Sequence, residues 1–245
     1  LRADLPIDLK RIDLQLIAMI EDARERLLLM GMHTDAKVLL WGFSASGMFV
    51  NRFALLHPER VKAVASGSPG GWPTVPVSTW QGSDLIYPVG ISGLSLLTGK
   101  NFDLEAFKLV PQYIYVGDID DNDAVSCSDV DGVGQLICAL FGDPQYIWER
   151  FPKAKEIFDS VQSRATFKIY PGVGHSVTHE MYLDVDTFFE QSWYPLIKIT
   201  NPTENLTYYA DQPTINLAGT AEDDVNVTQV TWSNNRGGSG VASGT

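Results

Sequence analysis

Two hydrophobic patterns alternate along the chain as far as Trp193. One set of segments has apolar residues at helical spacing, and the first of these carries Leu9, Ile12, Leu16, Met19, Ala23 and Leu27 on one face. The other set consists of short, continuous apolar runs, typical of strands covered on both faces, at 36–43, 61–67, 111–118 and 165–172. Further helical patterns separate these runs, at 46–57, 132–141, 145–161 and 177–193. This alternation predicts an α/β fold in which helices flank a mostly parallel sheet.

The pattern changes after Trp193, where helical spacing ends. Short β-rich runs, such as 213–221 and 227–233, alternate with turns rich in Asn, Asp, Gly and Thr. We therefore predict two domains, an α/β domain over 1–195 and a β-rich domain over 196–245. The second domain has a sequence pattern typical of an antiparallel β-sandwich. It would be only part of one, because such domains need about a hundred residues.

Charge and composition exclude some classes of function. The formal net charge of −12 and the pI near 4.6 argue against a nucleic-acid partner, because a phosphate backbone requires a basic surface. No run of 18 apolar residues occurs, so the sequence predicts no membrane span.

The strongest candidate for chemistry is the segment 42–47 (GFSASG), which joins a predicted strand to a predicted helix. A sharp turn at such a junction lifts a serine hydroxyl above the sheet and needs small neighbours on either side. Gly42 stands two residues before Ser44, and the small Ser46 stands two residues after it. If Ser46 were the nucleophile, the bulky Met48 would occupy the second small position. The spacing therefore favours Ser44, against the alternative of a tight turn with an incidental serine.

A serine nucleophile needs a base to accept its proton and an acid to orient that base. The loop after the run 165–172 offers His175 as the base. The loop after the run 111–118 offers four candidate acids, which are Asp118, Asp120, Asp121 and Asp123. Both loops follow predicted parallel strands, at the sheet edge where such sites form.

The other histidines are weaker candidates for the base. His179 falls within the first turn of the last predicted helix, where an exposed position is expected. His33 and His57 stand at helix ends, so we expect them to cap helices. Among the four histidines, the pattern therefore favours His175.

Three further features leave alternatives open. Trp72 lies in a loop rich in Gly and Pro, where it either lines a substrate cleft or packs at its rim. Cys127 and Cys138 are either joined in a disulfide or present as two free thiols. A calcium-loop pattern is matched only in part, because its glycine and glutamate positions hold aspartates, so we expect no metal at Asp118, Asp120, Asn122 and Asp129.

These segments together resemble the serine esterases of the α/β-hydrolase superfamily, in particular the poly(3-hydroxybutyrate) depolymerase-like and feruloyl-esterase-like groups. The resemblance covers 9–189 and is carried by 11–23, 42–73, 115–125 and 170–181. It implies hydrolysis of a carboxylic ester through an acyl-enzyme on Ser44, without a cofactor. The implied partner is a small-molecule or polymeric ester, such as a polyester or a plant-derived ester.

The resemblance also implies a role for each site residue. His175 would be the general base, and the N–H of Ala45 would be one donor of the oxyanion hole. The acid of this group lies three residues after a strand-end glycine, which from Gly117 points to Asp120, with Asp123 as the alternative. Trp72 would contact the substrate.

The tail over 196–245 resembles a bacterial Ig-like module, which implies a secreted or cell-surface protein. The chain also departs from the family, since only four of about eight sheet strands are found. We expect the missing strands, and a loop with the second oxyanion-hole donor, to precede Leu1, which would leave the strand at 36–43 with one neighbour. The competing hypotheses are an inactive or adhesive surface protein on an esterase-like frame, and a serine peptidase, because the same triad cleaves amides.

Overall fold

The computed structural model describes residues 11–128, 132–193, 196–203, 205, 207–210, 213–222, 227–235 and 237–244. The helices within these residues are α1 (Ile12–Leu29), α2 (Ala45–Leu56), α3 (Leu94–Thr98), α4 (Leu104–Leu109), α5 (Val133–Phe141), α6 (Phe151–Ser160) and α7 (His179–Trp193). The strands are β1 (Val38–Phe43), β2 (Val61–Gly67), β3 (Thr79–Trp80), β4 (Ser83–Asp84), β5 (Gln112–Gly117), β6 (Ala165–Tyr170), β7 (Leu196–Asn201), β8 (Ala218–Glu222), β9 (Thr231–Ser233) and β10 (Ser239–Val241).

Four of these strands form a central sheet in the order β1-β2-β5-β6. Every neighbouring pair in it is parallel, which confirms the predicted parallel sheet with flanking helices. The four predicted apolar runs are its four strands. β2 and β5 lie inside the sheet and are buried almost throughout, as continuous apolar runs require. β1 has one paired neighbour among the described strands, and Trp41 on it is 39% exposed.

Two hydrophobic clusters cover the sheet. The smaller one joins α2 to the first two strands and includes Val50, Phe53, Ala54, Val61 and Val64. The larger one joins α4, α5 and α6 to β5 and includes Phe107, Ile114, Val116, Phe151 and Phe158. Burial of this apolar surface holds the sheet and its flanking helices together.

Helix α1 packs through a face that matches the predicted one only in part, because Leu16 belongs to both. Leu16 and Ile17 pack against the smaller cluster, whereas Met19 is 67% exposed. The helix carries apolar side chains around much of its circumference, so its periodicity alone does not decide which side is buried. Its fully buried residue is polar, since Asp13 is only 5% exposed.

The chain divides into two compact units, one ending at Phe188 and the other beginning at Phe189. In the second unit, the described strands form two separate antiparallel pairs, β7 with β8 and β9 with β10. The predicted domain boundary at 195/196 and the predicted sandwich stay predictions. No helix in the described part of the chain combines the length and the apolar character that a membrane crossing requires.

Candidate active site

Each of the four strands of the central sheet is followed by a polar residue of the candidate site. Ser44 and Ser68 come immediately after β1 and β2, whereas Asp120 and His175 lie in the loops that follow β5 and β6. Because the strands are parallel, these residues come to the same edge of the sheet.

Ser44 occupies a strained turn between β1 and α2. Its backbone has φ 59° and ψ −125°, a conformation that residues with a side chain rarely adopt. Its N–H donates to the Gly67 carbonyl at 2.9 Å. A Cβ at Gly42 would lie 2.3 Å from the Ser46 carbonyl oxygen, and a Cβ at Gly47 would lie 2.3 Å from the Gly67 oxygen. The turn therefore requires glycine at both positions, and its strain is of order 1–3 kcal/mol.

Ser46 has a separate task in the same turn. Its Oγ donates to the Phe43 carbonyl at 2.7 Å and accepts from the Phe43 N–H at 3.0 Å. The hydroxyl thereby ties the end of β1 to the first turn of α2. The structure thus engages Ser46 with backbone and brings Ser44 to the candidate base.

His175 lies between the serine and an acid. Its Nε2 is 2.9 Å from Ser44 Oγ. Its Nδ1 is 3.0 and 3.1 Å from the two carboxylate oxygens of Asp120. The ring packs beside Phe43, with centroids 5.0 Å apart, and the side chain remains 25% exposed. The imidazole is thus held on two sides, while part of it stays open to solvent.

Asp120 is fully buried and well supplied with donors. Its Oδ2 accepts from the Ser68 hydroxyl at 2.7 Å, and its Oδ1 accepts from the Asn122 N–H at 3.0 Å. Its own carbonyl accepts from the Ile147 N–H at 3.0 Å. A buried carboxylate is tolerated only with such partners, so this loop is built around the Asp120 side chain.

The neighbouring aspartates contact other groups. Asp123 forms an ion pair with Arg150 at 2.6 Å, and Arg150 is 1% exposed. The buried guanidinium needs a counter-charge, and Asp123 supplies it rather than contacting His175. Asp118 accepts from the Gly172 N–H at 2.6 Å. It thereby joins the loop after β5, which is called the acid loop below, to the loop after β6. Asp121 is exposed, and Asp129 lies outside the described residues.

A disulfide joins the acid loop to α5. Cys127 and Cys138 are bonded, with their Cα atoms 5.7 Å apart. Arg150 lies beside this bond, with a guanidinium nitrogen 3.8 Å from the sulfur of Cys138. The structure thus has the disulfide form of the two cysteines, and it anchors the chain just beyond Asp123.

The two remaining predicted site residues differ in position. Ala45 is the first residue of α2, so its N–H has no partner within the helix and is available beside Ser44. Trp72 is only 2% exposed, belongs to the larger hydrophobic cluster, and donates its indole N–H to the Pro88 carbonyl at 3.3 Å. We therefore do not assign it a contact with substrate, since its ring is enclosed by protein.

Two residues of the site were missed from the sequence. Ser68 contacts Asp120, and its only signal is a position directly after β2, at the same sheet edge as the other groups. Arg150 neutralises Asp123, and no local pattern links these two residues along the chain. The first could have been found by examining every strand end, and the second could not.

His57 belongs to a second His–Asp contact, which shares no residue with the candidate site. It is the C-cap of α2, as expected, and its backbone N–H donates to the Phe53 carbonyl at 2.8 Å. Its side chain makes a separate contact: Nε2 is 2.8 Å from the buried Asp13 carboxylate of α1, which also binds Arg11 at 2.8 Å. Burial acts to raise the pKa of Asp13, but the hydrogen bonds and charges of Arg11 and His57 outweigh it and lower this pKa from 3.8 to about 2.

No family model matches the sequence, and no match was found among curated proteins. Among solved structures, the chain is similar to the poly(3-hydroxybutyrate) depolymerase LpqC from Bordetella parapertussis, with 20% identity, 71% of this chain and 56% of that chain covered, and a TM-score of 0.48. It is also similar to SOBER1 from Arabidopsis thaliana, with 20% identity and a TM-score of 0.40. This match covers 79% of this chain and 70% of that chain.

A third similar structure is poly(aspartic acid) hydrolase-1 from Sphingomonas sp. KT-1, with 18% identity, a TM-score of 0.44 and coverage of 72% of this chain and 61% of that chain. The chain thus spans between 56% and 70% of the length of these three proteins. At these identities and TM-scores, the function argued below rests on the geometry of the site alone.

Proposed function

We propose that this protein is a serine hydrolase that cleaves carboxylic esters through an acyl-enzyme on Ser44. The observation that carries the proposal is the chain of contacts from Ser44 Oγ to His175 Nε2, at 2.9 Å, and from His175 Nδ1 to Asp120, at 3.0 Å. A serine, an imidazole and a buried carboxylate in this order are the groups that acyl transfer requires.

In the first half of the reaction, Ser44 Oγ attacks the carbonyl carbon of the ester while its proton passes to His175 Nε2. The tetrahedral intermediate then collapses, and His175 returns the proton to the leaving alcohol. In the second half, His175 takes a proton from water as the water attacks the acyl-enzyme. The bond to Ser44 Oγ then breaks, His175 returns the proton to this oxygen, and the acid leaves. Asp120 holds the imidazole in the tautomer with a proton on Nδ1 and stabilises the imidazolium that forms in each half.

The negative charge that develops on the carbonyl oxygen needs hydrogen-bond donors. Ala45 N–H supplies one of them in this proposal, because it is the first amide of α2 and lies at the positive end of the helix dipole. We assign no second donor among the residues that the structure describes. Loss of one such donor lowers the rate by about 10²–10³-fold, so the Ala45 N–H matters strongly for turnover in this proposal.

We also propose a setting and a substrate class. The Cys127–Cys138 bond supports a secreted or cell-surface protein, because disulfides persist in oxidising compartments. In this proposal the second unit is part of an Ig-like module, and its antiparallel strand pairs are compatible with that assignment. The substrate is an ester of a small molecule or a polymer such as a polyester or a plant-derived ester.

The test is turnover of p-nitrophenyl acetate together with labelling by a fluorophosphonate. Wild-type protein should hydrolyse the ester and carry the label on Ser44, as identified by mass spectrometry of the labelled peptide. The Ser44→Ala variant should lose both. A matched peptide p-nitroanilide should be cleaved far more slowly, which separates an esterase from a peptidase.

Ser46→Ala is the matched control, since it removes a hydroxyl from the same turn. It should still take the label on Ser44. Its turnover should fall only because the turn loses the two hydrogen bonds between the Ser46 hydroxyl and Phe43. Hydrolysis that persists in Ser44→Ala, or a label found on Ser46, would contradict the proposal.

A further inference from the structure

Ser68 lies among the site residues, yet the mechanism above gives it no role. It is 1% exposed and directly follows β2, the strand between β1 and β5 in the sheet. Its Oγ donates to Asp120 Oδ2 at 2.7 Å, a distance typical of a strong hydrogen bond from a hydroxyl to a carboxylate. Because it is buried, Ser68 is not placed to contact a substrate.

The backbone of Ser68 is fixed firmly enough to aim this hydroxyl. Its N–H donates to the Tyr115 carbonyl at 2.7 Å, which continues the pairing of β2 with β5 by one residue. Its φ of 42° turns the chain away from the sheet at that point. The preceding residue, Gly67, accepts the N–H of Ser44 at 2.9 Å. The end of β2 therefore contacts the serine on one side and the acid on the other.

The donors to Asp120 divide between its two oxygens. Ser68 Oγ holds Oδ2, and the Asn122 N–H holds Oδ1. Two donors on different oxygens fix the rotation of a carboxylate plane about its last bond, which is otherwise a soft torsion. In this orientation both oxygens lie almost equally far from His175 Nδ1, at 3.0 and 3.1 Å.

We propose that Ser68 is a positioning residue for the acid of the site, holding the Asp120 carboxylate toward His175 Nδ1. The inference rests on the proposed function, because it assigns Ser68 a task in the same reaction. The hydroxyl also draws part of the negative charge of Asp120 away from the imidazole. Without it, Asp120 attracts the protonated ring of His175 more strongly but holds it in a less defined orientation.

A purely structural role for Ser68 makes a different prediction. In that case, losing the hydroxyl would lower the stability of the fold, as for any buried hydrogen bond, and leave the titration of His175 unchanged. The pH at which the His175 ring titrates therefore separates the two roles. This pH can be followed by NMR of the histidine ring protons, with His175→Gln used to assign the signal among four histidines.

The experiment compares the whole chain carrying Ser68→Ala, Ser68→Gly or Ser66→Ala with the wild type. Ser68→Gly loses the same hydrogen bond as Ser68→Ala but tolerates a positive φ, so it remains folded if strain destabilises the alanine variant. Ser66→Ala is the matched control, since Ser66 is a buried serine of β2 whose hydroxyl has no hydrogen-bond partner among the described residues.

In both Ser68 variants we expect the His175 titration midpoint to move to higher pH. We also expect kcat for p-nitrophenyl acetate to fall roughly 10- to 100-fold with KM unchanged. A rate change of this size corresponds to the free energy that one hydrogen bond to a charged group contributes. Ser66→Ala should match the wild type in both measurements. Unchanged midpoints and kcat in both Ser68 variants would overturn the inference.

The failure of the proposed function would look different. If the wild type hydrolyses no more ester than Ser44→Ala, the proposed reaction is wrong. The NMR midpoint then still decides whether Ser68 controls the Asp120–His175 pair, because that measurement needs no turnover.

Discussion

Two contacts in this protein each pair a histidine with an aspartate, but the surroundings of the two pairs differ. Asp120 and His175 lie 3.0 Å apart at the carboxyl edge of the sheet, and Asp13 and His57 lie 2.8 Å apart between α1 and the end of α2. The difference is in the second ring nitrogen. In His175 it faces the Ser44 hydroxyl at 2.9 Å, whereas in His57 it faces the Glu59 carboxylate at 3.7 Å.

The partners of each carboxylate differ as well. Asp13 has a cation beside it, Arg11, which neutralises much of its charge. Asp120 has neutral donors in Ser68 and the Asn122 amide, so its charge remains available to His175. The His175 side chain is 25% exposed and that of His57 is 7% exposed. A His–Asp contact thus becomes a candidate for catalysis only when a nucleophile and an opening to solvent lie beyond the imidazole.

Replacing each histidine in turn gives the largest expected contrast. His175→Gln should lower kcat for p-nitrophenyl acetate by up to about 10⁶-fold, because a serine without its base is a poor nucleophile. Its melting temperature should change little, since His175 is partly exposed. His57→Gln should show the reverse, with kcat retained and stability reduced. Equal losses of kcat in the two variants would remove the distinction between the pairs.

Replacing carboxylates sharpens the comparison further. Asp120→Asn should lower kcat about 10⁴-fold, because an amide donates where a carboxylate accepts and so favours the wrong imidazole tautomer. Asp123→Asn is the matched control from the same loop. It should spare most of kcat but destabilise the protein by about 3–5 kcal/mol, since it leaves Arg150 buried without a counter-charge. Urea unfolding and steady-state kinetics measure the two effects, and a larger loss of kcat at Asp123 would reverse the assignment of the acid.

The Asp13–His57 pair should affect the stability of the protein and leave its activity unchanged. Asp13→Ala should lower the free energy of unfolding by about 3 kcal/mol at neutral pH, because Arg11 and the buried His57 both lose their partner. Activity at a temperature where the variant stays folded should match the wild type. Urea denaturation with a parallel assay measures both quantities, and a loss of kcat without a loss of stability would contradict the structural role.

The smallest expected effect is the pH dependence that Asp13 gives to the free energy of unfolding. The pKa of Asp13 is lowered from 3.8 to about 2, so its ionised form contributes stability that is fully present above about pH 4. This contribution, on the order of 1–2 kcal/mol, should be lost as the pH falls from about 4 to about 2. Urea unfolding across this range measures it. Asp13→Asn should flatten this part of the profile, and an unchanged slope in that variant would show that other groups cause the dependence.

Much of the fold could be predicted from the sequence because local patterns determine it. Runs of mostly apolar residues gave β1, β2, β5 and β6, since strands covered by helices on both faces carry mainly apolar side chains. The turn at Ser44 could be predicted because the close approach of backbone at Gly42 leaves no room for a side chain. Each of these signals lies within a few consecutive residues.

The rest depends on residues that are distant in the sequence. His57 and Asp13 are 44 positions apart, and Asp120 and Ser68 are 52 positions apart. The buried position of Trp72 likewise depends on the segment around Pro88 that covers it. Composition and periodicity do not record which distant residues contact each other. A strand-end position could have made Ser68 a candidate, but each of these contacts is visible only in the folded chain.

The left-handed backbone of Ser44 has a consequence for how this chain changes over time. Folding alone would favour glycine at this position, because only glycine adopts a φ of 59° there without strain. Replacement by glycine would relieve the strain, so under selection for stability alone this position would drift toward glycine and lose its hydroxyl. The serine at position 44 is therefore not the residue that the fold prefers, and its presence indicates a requirement other than stability.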